Sequence, residues 1–444
     1  MYLVVVSITA NIKPEFDVYH RNSIGASLLF TLLVFSLFVY VGATDAETSS
    51  LERVLHVGTE AELRDAVNGA ARGMPVVIIF DKHIDLTETT LTIPPGADVT
   101  LRSDSELVRN SGVEFFRLYG VSDLSTITIE EGGLLKLEGI IVTHNEGAYG
   151  SGVEVNSDGT LFMTGGIVSG NTADVGGGIS NRGIFSLSGG IISGNTAETG
   201  GGVANRYSTA SFAMFDGEIS DNTARKSGGG VYNSFGGAFN LFGGLISGNI
   251  ADWGGGVNNW GSYFTMFDGE ISYNIATNTV SGGGGVAFDG SRFDMLGGAI
   301  TGNRAPNGGG MYTNNGMVQF YGGVISDNVA SESGGGIYAK FLEVLYVSDG
   351  VVFYNNQASL AYDRDPIHDR MYQDQIGANV VWTFPFSQGY NNYDISYISE
   401  IPIQLNTSPN NQSSPNSRIA IYAIALLALI ICIAVVVLNF YFKK

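Results

Sequence analysis

GTLFMTGGIVSGNTADVGGGISNR (159–182) is followed at once by GIFSLSGGIISGNTAETGGGVANR (183–206), one unit written twice, 24 residues apart. Anchored on the Asn of its GGxISGN core, the unit recurs at Asn145, Asn171, Asn195, Asn222, Asn249, Asn274, Asn303, Asn328 and Asn355, with spacings of 24 to 29 residues. A period of this length marks a solenoid, in which each unit buries its apolar face only against its neighbours.

The residues inside the unit decide which solenoid. Ten positions before each Asn stand Leu135, Leu161, Phe185, Phe212, Phe239, Phe264, Phe293, Val318 and Leu345, and two further on come Leu137, Met163, Leu187, Met214, Leu241, Met266, Met295, Phe320 and Val347. The position between them is mostly polar or small: Lys136, Ser186, Ala213, Asn240, Thr265, Asp294, Gln319. Alternation of period two is a half-buried strand, and no helical period of 3.6 appears in the unit. A third apolar column runs Val142, Val168, Ile192, Ile219, Ile246, Ile271, Ile300, Ile325 and Val352, after which come the Asn, a variable loop and a Gly triplet. The pattern predicts about three short strands per rung of an all-β, right-handed parallel β-helix, with like residues stacked roughly 4.8 Å apart. A stacked Asn column fits a turn, because Asn tolerates left-handed backbone and its amide bonds to the copies above and below.

The repeats resemble those of the pectin-lyase-like β-helices, and in particular those of polymorphic outer-membrane proteins and of adhesin-like archaeal surface proteins, over about residues 132–356. The resemblance implies the fold and a surface setting; it is weakly specific for activity.

Composition agrees. Sixty-two Gly against 10 Pro suit many tight turns, and charge is sparse at 14%. The net charge of −20 argues against nucleic acid, whose phosphates would be repelled, and leaves room for loosely held Ca²⁺ without requiring any cofactor. The single cysteine, Cys432, excludes a disulfide framework and a zinc ligand set.

Along the chain, the apolar run 23–41 followed by Val41-Gly42-Ala43 reads as an export signal or an N-terminal anchor over 1–43. Residues 52–131 read as an N-terminal cap and first rungs, with Thr59 and Glu62 as the capping box of a short helix that plugs the open end. The Gly/Asn-rich repeats fill 132–356, and a Tyr/Asn/Asp-rich C-terminal cap fills 357–405. A polar stalk at 406–418 carries the sequons Asn406 and Asn411 as glycosylation candidates. Residues 419–442 form an uncharged stretch long enough for a transmembrane helix, and Lys443 and Lys444 behind it predict a single-pass cell-membrane protein with its β-helix outside and its C-terminus in the cytoplasm.

Catalytic chemistry is hard to find. Enzymes of this fold gather carboxylates and a basic group on one strand face, yet the outward column offers only Asp294 among carboxylates. Asp216, Glu218, Asp268 and Glu270 belong to two copies of MFDGEIS two rungs apart, too far for an acid–base pair. The cluster DRDPIHDR (363–370) reads as a salt-bridged loop. One stripe exceeds what a core requires: Phe215, Phe242, Phe267, Leu296 and Tyr321, seven positions before the Asn on five consecutive rungs. Strict alternation points it outward as a surface for sugar rings or partner strands, while the Gly-Gly bend that follows leaves inward packing open. The expectation is an adhesin-like, membrane-anchored protein that binds extracellular glycans or surface proteins. A polysaccharide lyase or hydrolase, and a purely structural surface-layer spacer, are the alternatives.

Overall fold

From Thr160 onward each rung winds four short parallel strand segments around one apolar core, the rungs before it wind up to three, and the computed structural model stacks about 11 turns. It describes residues 52–70, 74–279, 282–341, 345–359, 380–381, 390–391 and 393–397. The predicted export segment, stalk, sequons, Cys432 and transmembrane stretch, with most of the predicted C-terminal cap, lie outside the described residues.

The duplicated unit shows the rung. Thr160–Met163, Ile167–Ser169, Thr172–Val175 and Ile179–Asn181 form its four strands. Like residues pair directly between rungs: Leu161 with Phe185, Val168 with Ile192, Ile179 with Val203. The inward Phe column stacks ring on ring, with centroids 4.6 Å apart for Phe185–Phe212 and 4.7 Å for Phe212–Phe239 and Phe239–Phe264. These side chains are essentially inaccessible, so the solenoid axis is a dry column of Phe, Leu, Ile, Val and Met.

The strand after the Asn is a correction to the three-strand reading, which took it for loop. It builds a separate eight-stranded parallel sheet. Its inward residue is Ala on seven consecutive rungs, Ala173, Ala197, Ala224, Ala251, Ala276, Ala305 and Ala330, all buried. A methyl group fills that narrow corner, and a column of Ala carries too little hydrophobic contrast to announce a strand. The Gly triplets follow. The first Gly of each has φ between +62 and +68°. At the third, an added Cβ would lie 2.5–2.7 Å from a carbonyl oxygen of the next rung at Gly178, Gly202, Gly230, Gly256, Gly285 and Gly310. Only glycine fits there.

The stack starts earlier than the repeats, with Arg53–Val57 pairing onto Val76–Phe80. Between them lies the helix α1, Glu60–Ala70, which buries Leu63, Ala66, Val67 and Ala70. The capping box is present: Thr59 Oγ1 accepts from the Glu62 amide, and Glu62 Oε2 accepts from the Gly58 and Thr59 amides. A second helix, α2 (Ser105–Ser111), escaped the sequence reading although Asp104 caps it and Gly112 ends it with φ +73°. At the far end Ile395–Tyr397 returns to pair with Ile337–Ala339. Val380–Val381 pairs antiparallel with Tyr390–Asn391 in a small separate sheet. Among the described residues no helix is long and apolar enough to cross a membrane, which says nothing of a β-barrel.

Candidate binding face

The Asn turns fix everything around them. Each ladder Asn is fully buried from Asn171 to Asn328. Its backbone N–H and its Nδ2 both donate to Oδ1 of the next Asn, at 3.1 and 2.9 Å for Asn171 to Asn195 and at 3.0 Å for both from Asn195 to Asn222. A backbone N–H can only donate, so every amide in the ladder is oriented without ambiguity, nitrogen toward the C-terminal rung. Nδ2 also donates to a third-column carbonyl one rung back, Val168 O for Asn195 at 2.9 Å.

Three sequence expectations about this ladder are corrected. Left-handed backbone belongs to the residue before the Asn, at Gly170, Gly194, Asp221, Gly248, Tyr273, Gly302, Asp327 and Asn355, with φ from +54 to +69°. Asn355 is therefore the turn residue and Asn356 the ladder member, accepting from Asn328 Nδ2 at 3.1 Å. The third column slips with it, so that Phe353 pairs with Ile325 while Val352 is 52% exposed. At the other end Asn145 is exposed, and His144 takes its place: Nδ1 lies 2.8 Å from Asn171 Oδ1 and Nε2 lies 2.9 Å from the Leu124 carbonyl oxygen. The ladder closes on Asp394, whose Oδ1 accepts from Asn356 Nδ2 at 3.0 Å. Burial pushes the Asp394 carboxyl up and this bond pulls it down. A second ladder went unrecognised, Asn181, Asn205, Asn233 and Asn259, linked at 2.7, 2.7 and 2.6 Å. The GGxxxN spacing carried it, masked by the more regular first series.

The aromatic stripe lies on the outer side of the bend. Phe215, Phe242 and Phe267 are half-buried and stand outside the core cluster, and Leu296 is 40% exposed. Phe215 and Phe242 stack with centroids 4.8 Å apart and planes within 5°, and Phe242 and Phe267 follow at 4.6 Å and 8°. Strand spacing sets this distance, so the rings form a flat-sided rail parallel to the solenoid axis. The bend after each ring, Asp216-Gly217, Gly243-Gly244 and Asp268-Gly269, turns the chain without turning the ring inward.

Polar groups join the rail at its C-terminal end. Arg292 Nε donates to Asp294 Oδ2 at 2.5 Å, and Arg292 Nη2 donates to Gln319 Oε1 at 3.0 Å. Tyr321 Oη donates to the same Gln319 oxygen at 2.8 Å. Burial raises the Asp294 carboxyl and the Arg292 guanidinium opposes it; Asp294 Oδ1 has no hydrogen-bond partner. Arg292 sits two residues before Asp294 on the same strand face, so alternation could have found the pair.

The remaining carboxylates do not converge. Asp216 and Asp268 accept from the following Gly217 and Gly269 amides at 2.8 Å, which makes them turn residues. Glu218 and Glu270 are separated by Leu245 on the rung between. His83 Nδ1 accepts from the Arg117 amide at 2.9 Å. His56, Asp81 and Asp104 come close enough together to share a cation. Their atoms are committed, however: His56 Nδ1 bonds Asp81 Oδ1 at 2.7 Å, and Asp104 Oδ1 accepts from two amides of α2. The DRDPIHDR cluster lies outside the described residues.

The fold and this repeating turn define a parallel β-solenoid repeat protein resembling the polymorphic outer-membrane proteins. Residues 322–340 match the family described as Chlamydia polymorphic membrane protein (Chlamydia_PMP) repeat. That segment, GGVISDNVASESGGGIYAK, holds the second strand, the left-handed Asp327, the ladder Asn328 and the Gly triplet. These are the positions where backbone geometry leaves the least choice. No curated protein and no solved structure matches the chain.

Proposed function

We propose that the chain is an adhesin-like protein of the cell surface, presenting the outer face of its solenoid to extracellular glycans or partner surfaces. The stacked rail of Phe215, Phe242 and Phe267 carries this reading. Three parallel rings at 4.6–4.8 Å on an outer surface serve no core, and such a row suits a ligand that is itself flat or repeating. Each ring contributes around 1 kcal/mol to stacking, so useful affinity needs several at once. In this reading the export signal delivers the solenoid, α1 caps its first rung, and the stretch 419–442 anchors it by a single span with Lys444 in the cytoplasm. Replacing Phe242 and Phe267 together by Ser tests it. Adhesion of cells displaying the variant, or binding to a glycan array, falls while the solenoid stays folded at the assay temperature; unchanged adhesion removes the rail from the function.

A second reading, a polysaccharide lyase or hydrolase, is favoured by one observation, the raised Asp294 carboxyl beside Arg292. Release of unsaturated or reducing ends from acidic polysaccharides, abolished in Asp294→Asn, is its signature.

A further inference from the structure

The corner between the fourth strand of one rung and the first strand of the next carries a different cluster on three rungs. Arg206 pairs with Ser234, and Ser234 with Trp260, so Arg206–Tyr207, Ser234–Phe235 and Trp260–Gly261 lie one above another. Tyr207 and Phe235 hold left-handed backbone, φ +80° and +57°, where the third rung uses Gly261 at φ +61°. Bulky aromatic residues avoid that region, and backbone strain of this kind gathers at functional positions. All three rings reach the surface, with Tyr207 43%, Phe235 47% and Trp260 46% exposed. Tyr207 and Phe235 stack at 5.8 Å, and Phe235 meets Trp260 edge to face at 5.0 Å.

A cation is built into these rings. The Arg206 guanidinium carbon lies 5.2 Å from the Tyr207 centroid and 5.8 Å from that of Phe235, and Nη2 donates to Tyr207 Oη at 3.0 Å. Its Nε is buried with no hydrogen-bond partner. Among the described residues Arg206 enters no salt bridge, although the chain carries a net charge of −20. Arg182, beside it in the same column one rung earlier, is paired with Glu154 at 3.4 Å. A guanidinium held in place by aromatic rings and left without a carboxylate is complementary to an incoming one.

We infer that this corner is a binding site for an oligosaccharide bearing carboxylates. A sugar ring lays its C–H face on Phe235 and Trp260, and its carboxylate takes the guanidinium edge of Arg206. Neither half of the cluster suits a simpler ligand. A neutral sugar leaves the cation unused, and a free inorganic anion leaves three exposed rings unused. The repetition over three rungs suits an oligomer. The site stands apart from the Phe215 rail, since residues 211–214 of the strand Ser211–Ser220 separate Tyr207 from Phe215 on the same rung.

Calorimetry on the full-length chain tests this, using a glucuronate-containing hexasaccharide and its carboxyl-reduced counterpart. The acidic oligosaccharide binds about tenfold more tightly than the reduced one, the worth of one charge-assisted pair, and weakens as salt rises. Arg206→Gln erases that difference; Trp260→Ala weakens both ligands by about fivefold. Phe242→Ser with Phe267→Ser leaves binding here intact, which separates this site from the rail. Equal affinity for the two oligosaccharides, an Arg206→Gln variant that binds as the parent does, or no binding of either ligand overturns the inference. Should Arg206→Gln fail to fold, an unweakened Trp260→Ala variant overturns it instead.

Discussion

Replacing Asn249 by Leu keeps the side-chain volume and removes every polar group from the middle of the ladder. In the intact chain Asn249 Oδ1 accepts from the Asn222 N–H and Nδ2, both at 3.0 Å. Its Nδ2 donates to the Ile219 carbonyl and to Asn274 Oδ1, both at 2.9 Å. The Asn249 backbone N–H still serves Asn274 Oδ1 in the variant. Two buried groups are left without a partner, the Asn222 N–H and one N–H of its amide, while the Ile219 carbonyl, paired in the sheet through the Ser220–Ser247 register, loses one of its donors. Each unsatisfied group costs about 1–3 kcal/mol, and burying the leucine methyls recovers roughly 1–2 kcal/mol. The net loss is about 1–4 kcal/mol, a sizeable part of the stability of an ordinary domain.

A solenoid couples mainly neighbouring rungs, so the loss concentrates between Asn222 and Asn274. Denaturant unfolding followed by circular dichroism reads the size of the loss, and amide hydrogen exchange reads its place. Asn145→Ala is the control. Asn145 is exposed and His144 holds the ladder position, so that variant stays within about 0.5 kcal/mol of the parent. An Asn249→Leu variant within about 1 kcal/mol of the parent, or protection lost evenly along the whole stack, refutes the reasoning.

Other outcomes follow from the same geometry. Ile246→Asp places an unpaired charge in a fully buried column, and no folded solenoid is recovered on expression. Phe239→Ser, in the inward column, costs about 3–5 kcal/mol in chemical denaturation, whereas Phe242→Ser, on the half-buried rail, costs under about 2 kcal/mol. Tyr273, 68% exposed with φ +55°, stands where four other rungs have Gly170, Gly194, Gly248 and Gly302; Tyr273→Gly is stabilising by about 0.5 kcal/mol, and a lower melting temperature contradicts this. The Tyr149 phenol donates to Asp174 Oδ1 at 2.5 Å, and chiefly that bond raises its pKa from 10.0 to about 12. A raised folded value means this bond stabilises below pH 10 and the contribution disappears as pH climbs through 12, so Tyr149→Phe removes one tyrosinate step near pH 12 from an alkaline absorbance titration.

The parts of the fold that were legible in the sequence are those where one physical constraint repeats on every rung. Inward Phe, Leu and Met at Phe185, Phe212 and Met214 alternate with small or polar residues, and alternation identifies a strand wherever it occurs. The capping box at Thr59 and Glu62 was readable for a similar reason, since two side chains and two amides must meet at one spacing. What stayed hidden either lacks chemical contrast or depends on a shift of one residue. The Ala column of the third strand looks like loop because a methyl group is small enough to belong anywhere. Asn145 and Asn355 look like ladder members in the sequence because both follow the third column by three positions. The structure puts His144 and Asn356 there, since the first turn is one residue shorter and the last rung slips by one.

The direction of the stripe was decided by something no single rung reveals. Alternation points Phe242 outward and the glycines at 243 and 244 leave it free to turn, so one copy read alone is ambiguous. Three copies stacked at a common spacing remove the ambiguity. Inward, Phe215, Phe242 and Phe267 would compete for volume already filled by Phe212, Phe239 and Phe264 and by Met214, Leu241 and Met266, all of them inaccessible. A core packed to native density has no room for a second aromatic column beside the first. Outward, the same spacing costs nothing and gives parallel rings. The Arg206 corner follows the opposite logic. There the repeat is broken, with Arg206, Ser234 and Trp260 stacked in one column and Tyr207, Phe235 and Gly261 in the next. A solenoid core demands sameness from rung to rung. Recognition of a particular ligand demands difference, so residues that depart from the repeat while keeping its backbone are where specificity is to be sought.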